Sequence, residues 1–286
     1  MEFLSDLMNY AFLQKAFVTS VMVGIICGVI GSFIVLRGMA LMGDAISHAV
    51  LPGVAISYML SINYFYGAVL TGVLTAFGIG AISQNSRIKS DSAIGIVFSA
   101  FFALGIILIT KAKSATDLTQ ILFGNVLSVR DSDMWITLVI GAVVIGTVVL
   151  FFKELLISSF DETMAAAYGL NTRFIHYAIM FLLTLVTVAS LQTVGVILVV
   201  SMLITPASAA YLLTNRLSTM VVLASFFGAF SAVAGLYFSF LYNMPSGPVI
   251  ALATTSIFIL AFLFAPKQGL ITKQLSARKK SGVPTH

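Results

Sequence analysis

Charge is scarce in this chain. Only 9% of its 286 residues are Asp, Glu, Lys or Arg while 59% are hydrophobic, against roughly a quarter charged in a soluble domain. That excludes a water-soluble globular protein and leaves a polytopic membrane protein. Cysteine is nearly absent too: Cys27 alone allows neither an internal disulfide nor a thiolate metal cluster, and within an apolar run it reads as packing filler. Nowhere does Gly-x-x-x-x-Gly-Lys-Ser/Thr occur, so the chain carries no P-loop and no ATPase activity of its own is expected. The opening Met-Glu-Phe-Leu-Ser-Asp lacks the basic stretch of a cleaved signal, so it is expected to remain. The net charge of +5 does not point to nucleic acid, because the basic residues sit in short connections and in the tail 267–286, where they report topology.

The apolar runs dominate what is present. Residues 16–36, 64–83, 92–110 and 134–152 each suffice to cross about 30 Å of hydrocarbon. Residues 174–215 and 217–266 carry no formal charge, and each is about twice a membrane span, so each is expected to be a helical hairpin. The turns fall near Gln192–Gly195 and at Asn243–Pro248. With an irregular stretch at 44–60, the count is nine crossings, or eight if that stretch fails to span. The fold class is all-α: one transmembrane bundle over residues 1–286. Placing the basic tail in the cytosol puts Arg37, Arg87, Lys89, Lys153, Arg173 and Arg216 on the same side. Lys15, Lys111, Lys113 and Arg130 fall outside, which satisfies the positive-inside rule. A short surface helix is expected at Leu118–Asn125.

Within the apolar expanse one stretch breaks the pattern: Leu41-Met-Gly-Asp-Ala-Ile-Ser-His-Ala-Val-Leu-Pro-Gly53. Asp44 is the only formal charge between Arg37 and Arg87, and His48 is the only imidazole there. At i and i+4 the two lie on one helix face, at metal-ligand spacing. A carboxylate inside a membrane costs about 2.5 kcal/mol or more unless it meets a partner or a pathway. Asp44 also suits the cap of a helix starting after Gly43. Pro52 withholds an N–H from the His48 carbonyl and, with Gly53, predicts a bend; Pro206 is expected to kink a later helix. Met39 and Met42 are read as packing.

Residues 158–172 form a second distinctive stretch. Ser159 or Asp161 can cap, Asp161 and Glu162 suit a first turn, and Gly169 can terminate, predicting a short Ala-rich helix between two spans. Its acidic residue, Ala165-Ala166 and Gly169 resemble the coupling loop by which ABC-importer permeases dock onto an ATP-binding subunit. Gly43–Gly53 is similar to the signature stretch of the zinc/manganese/iron permeases, and Leu118–Asn125, Phe160–Asn171 and Gly195–Ala207 follow that branch in order and spacing. The resemblance covers nearly the whole membrane portion.

It implies a type II importer-like permease in the plasma membrane, working as a symmetric pair with two cytosolic ATPase subunits and an external metal-binding protein. Asp44 and His48 would meet a divalent ion, manganese foremost and zinc or iron otherwise, with no resident cofactor. Asp161, Glu162, Ala165, Ala166 and Gly169 would couple to the ATPase, and Gly43, Pro52, Gly53 and Pro206 would shape the path. The competing expectations are a proton-coupled secondary metal transporter and an ABC permease for a metal chelate such as a siderophore or cobalamin.

Overall fold

A computed structural model describes residues 9–111, 126–265 and 269. The surface helix expected at Leu118–Asn125 lies outside the described residues, as does nearly all of the basic tail. Twelve α-helices and one 3-10 turn, Val126–Ser128, make up the described chain: α1 (Ala11–Leu36), α2 (Leu41–Ala49), α3 (Leu51–Met59), α4 (Tyr64–Asn85), α5 (Ser90–Lys111), α6 (Asp131–Leu150), α7 (Phe152–Phe160), α8 (Glu162–Ala167), α9 (Thr172–Val194), α10 (Val196–Leu213), α11 (Leu217–Tyr242) and α12 (Ser246–Phe264). Eight are individually long and apolar enough to cross a membrane. The irregular stretch resolves into α2 and α3, nine residues each, so the described residues hold eight candidate spans and one broken helix.

Small residues bring the central helices together. A Cβ added to Gly24 of α1 would sit 2.6 Å from the Gly228 carbonyl on α11, and one on Gly28 would meet the Ala224 carbonyl carbon at the same distance. The two helices therefore run antiparallel with backbones in contact, as membrane helices do where no side chain intervenes. Several buried hydroxyls, with no water to bond, turn to the preceding turn of their own helix. Ser20 donates to the Ala16 carbonyl at 2.6 Å, Ser32 to Gly28 at 2.8 Å and Thr184 to Met180 at 2.9 Å, which satisfies them without breaking a helix. Cys27 is buried with its sulfur 3.8 Å from Ser190 Oγ, as filler.

Polar contacts fix the two ends of the bundle. Lys15 at the start of α1 pairs with Asp131 at the start of α6 at 2.6 Å, while Arg37 at the far end of α1 bonds Ser158 and Ser159 at the end of α7. Tyr177, one turn into α9, stacks on Phe77 near the end of α4 with ring centroids 4.8 Å apart. The ends of α1, α4 and α7 and the start of α9 thus share one end of the bundle. It follows that α2 and α3 together carry the chain from that end to the other before α4 returns.

Both expected hairpin turns are present. Gly195, at φ +82°, separates α9 from α10, and Asn243, at φ +51°, closes α11. Pro248 falls inside the first turn of α12, where a missing N–H costs nothing. Pro206, expected to kink its helix, lies inside α10, which continues to Leu213. Nearby, the Leu203 carbonyl leans onto Gly31 of α1, where any Cβ would overlap it.

Candidate metal path and docking helix

Residue by residue, the stretch around Asp44 forms a bent helix. After α1, Gly38 takes φ +67°, its N–H reaching the Val35 carbonyl at 3.2 Å and the Met39 N–H reaching Ile34 at 3.0 Å. This pairing closes a helix with a left-handed residue. The chain then enters α2 at Leu41, three residues ahead of the expected start, with Ala40 as the cap residue and no side-chain cap. Asp44 is therefore inside the first turn and does not cap, so its carboxylate is left for other partners. Gly43 packs tightly, since a Cβ there would lie 2.9 Å from Leu203 Cδ1 of α10.

The bend falls at Val50. Pro52 cannot donate to the His48 carbonyl, but that carbonyl is not left free: a backbone N–H at the end of α2 turns to it, because the chain tightens at the joint. Gly53 of α3 crosses Gly67 of α4 backbone to backbone, and a Cβ on either would overlap the other's carbonyl. Thr71 of α4 places its hydroxyl 3.3 Å from the Val50 carbonyl. The joint between α2 and α3 is thus braced from outside by α4.

His48 Nε2 lies 3.6 Å from Asp44 Oδ1, with side-chain exposures of 22% and 47%. An ion about 2.1–2.2 Å from each atom would see them at roughly 110–120°, an ordinary angle between metal ligands. Phe98 and Phe102 of α5 stand edge-on to the imidazole, with centroids 5.9 and 5.7 Å away, and stack on each other at 5.5 Å. They wall the ring on its apolar side. Met39 and Met42 are buried in the core, consistent with packing. Among the described residues no three His, Cys, Asp or Glu side chains come together, so the Asp44–His48 pair has no third such side chain beside it there.

At the other distinctive stretch, Asp161 is the cap of α8. Its Oδ1 accepts the Thr163 and Met164 N–H groups, both at 2.9 Å, and also the Thr163 hydroxyl. These bonds, the Thr163 hydroxyl first, hold the Asp161 carboxyl below its ordinary pKa of 3.8. Gly169, at φ +80°, ends the helix, with Gly169 N–H to Ala166 at 2.9 Å and Leu170 N–H to Ala165 at 3.1 Å. Ala165 is fully buried, which assigns it to seating α8; Glu162 and Ala166 face outward. Phe160, Met164, Tyr168 and Phe174 surround α8 with exposed apolar side chains.

Sequence reading did not flag that apolar ring, nor Phe98 and Phe102, although their i, i+4 spacing places them on one face. It also read Arg37 only as a topology marker. His176 has Nε2 buried with no hydrogen-bond partner.

Eight helices long and apolar enough to cross a membrane, with an acid–imidazole pair on an interrupted helix and a short capped helix at one end, define a polytopic membrane protein. The chain belongs to the ABC 3 transport family, whose model matches residues 9–265. It is 68% identical to the manganese transport system membrane protein MntC of Listeria monocytogenes serovar 1/2a, over 95% of this chain and 97% of that one. To the manganese import system permease protein ScaB of Streptococcus gordonii it is 51% identical, covering 96% and 99% of the two chains. The solved structure of PsaBC from Streptococcus pneumoniae in complex with Fab superposes with a TM-score of 0.86 at 52% identity, covering 97% of this chain and 99% of that one.

Proposed function

We propose that this chain is one half of a symmetric permease pair that imports manganese across the plasma membrane, zinc and iron being weaker alternatives. Two cytosolic ATP-binding subunits drive it, and an external metal-binding protein delivers the ion. The observation that carries the reading is the Asp44–His48 pair: partly exposed, 3.6 Å apart, and joined by no third His, Cys, Asp or Glu among the described residues. A second copy would complete it with two carboxylates and two imidazoles. Such an oxygen and nitrogen set accepts Mn²⁺, Zn²⁺ or Fe²⁺, and intrinsic affinity favours zinc. The preference for manganese is supported by relatives whose names specify it. Loose coordination suits passage, because an ion held tightly does not leave.

In this reading α8 and its exposed apolar neighbours meet the ATPase. Asp161 and Gly169 fix the helix, Ala165 seats it, and Glu162 and Ala166 lie on the contact face. ATP binding moves α8, the two chains shift, and the ion held at Asp44 and His48 gains access to the other side. Gly43, Pro52 and Gly53 keep the bend that presents those ligands, and Pro206 lies in the helix that packs behind Gly43. The C-terminus and α8 are cytosolic.

The test is uptake of radiolabelled Mn²⁺ into vesicles holding this permease, its ATPase and its binding protein. Uptake is expected only with all three and ATP. Uptake by this chain alone, driven by a proton gradient, would overturn the reading in favour of a secondary transporter.

A further inference from the structure

Arg37 ends α1, yet its side chain is only 6% exposed. A basic residue at a membrane helix end ordinarily stretches out to water and headgroups. Here Nη2 donates to Ser158 Oγ at 2.8 Å and Nε to Ser159 Oγ at 3.3 Å, while Nη1 faces Glu162 Oε1 at 3.9 Å. Those three partners are the end of α7 and the first residue of α8. On its other side Arg37 leads directly into the hydrogen-bonded corner at Gly38 and Met39 and thence, through the Met42 N–H to the Met39 carbonyl at 3.0 Å, into α2 and Asp44. The guanidinium grips the docking element, and its backbone is joined without slack to the ligand-bearing helix.

One donor of this grip is unfinished. Nη1 is buried without a hydrogen-bond partner, which is costly for a charged group, and Glu162 stands beyond bonding reach with a side chain 66% exposed. A displacement of α8 by about 1 Å would close the gap to the 2.7–2.9 Å of a charge-assisted bond. The contact is therefore open to tightening by a small movement of α8 toward Arg37.

We infer that Arg37 is the positioning residue that transmits movement of α8 to the Asp44–His48 helix. This rests on the reading of α8 as the ATPase-docking element. Neither Arg37 nor its two serines touches the ion.

The experiment uses the full complex of permease, ATPase and binding protein in vesicles, and measures Mn²⁺ ions moved per ATP hydrolysed alongside the amount of ATPase bound and the melting temperature. Arg37→Gln is expected to assemble with its ATPase and to lower that ratio about tenfold, within the range of a coupling free energy of 1–3 kcal/mol. Arg37→Lys, which keeps the charge but loses the fork, is expected to recover part of it. The double variant Ser158→Ala, Ser159→Ala removes both hydroxyl acceptors with little change in volume, and should lower the ratio even if Arg37→Gln does not assemble. An unchanged ratio in the serine double variant, or a loss confined to assembly and melting temperature, overturns the proposal. Ala166→Trp, on the outward face of α8, separates the two readings. If it leaves ATPase binding intact, the docking role of α8 fails and the proposal with it. If it blocks binding while the Arg37 and serine variants transport normally, only the Arg37 link fails.

Discussion

Gly24 of α1 and Gly228 of α11 touch backbone to backbone: a Cβ on Gly24 would lie 2.6 Å from both the carbonyl carbon and the carbonyl oxygen of Gly228. No side chain can be added at this crossing without moving a helix. Gly228→Val is therefore expected to destabilise the bundle by about 1–3 kcal/mol, the usual cost of overpacking. A lower melting temperature in detergent, with metal selectivity unchanged in whatever protein survives, is the expected result.

The acid–imidazole pair makes a different prediction. Asp44→Asn and His48→Gln preserve volume and lie on partly exposed side chains, so the fold should persist. Metal uptake should fall by more than about 100-fold, the upper end of the loss when a mere supporting group of a metal ligand is removed. Uptake counts and melting curves on the same preparations check both halves.

Phe98 and Phe102 hold the His48 ring edge-on. Each aromatic contact is worth about 0.5–1.5 kcal/mol beyond its buried area, so Phe102→Leu should weaken apparent metal affinity by roughly twofold to tenfold. Uptake measured over a range of Mn²⁺ concentrations should show a shifted midpoint with the maximal rate largely retained.

Asp161 supplies a pH signature. Its carboxyl is held below the ordinary value of 3.8 by the Thr163 hydroxyl and the Met164 and Thr163 N–H groups. The folded pKa is the lower one, so its stabilisation is fully present above the ordinary value and is lost as pH falls through the depressed one. ATPase binding to the vesicle-bound permease should stay level from neutral pH down to about pH 4 so far as this cap is concerned. Asp161→Ala should weaken binding throughout that range.

Gly169, at φ +80°, closes the same helix in a conformation that costs other residues roughly 1–2 kcal/mol. Gly169→Val is expected to fray α8 and lower ATPase binding, read by co-purification, while Mn²⁺ binding to the permease is unaffected.

Much of this architecture is legible in the sequence because the membrane imposes strong rules. Uncharged runs of fixed length mark spans, and Gly195 and Asn243 mark turns where the chain reverses. Asp161 and Gly169 bracket α8 as their chemistry requires. Other features depend on contacts between distant residues. Nothing local to Arg37 says that its guanidinium is enclosed by Ser158 and Ser159, more than a hundred positions away. Nothing near His48 announces the Phe98–Phe102 wall on α5. Asp44 had two uses open to it, and only the start of α2 at Leu41 removes it from the cap. Pro206 stays inside a continuous α10 because helix continuity depends on the neighbours as well as on the proline.

In the proposed pair each chain would bring the Asp44 carboxylate and the His48 imidazole to a shared site, so a faulty copy would spoil its healthy mate. In a cell making both intact and Asp44-deficient chains, working transporters would diminish with the square of the intact fraction, and a defective gene added to a normal cell would act as a dominant poison.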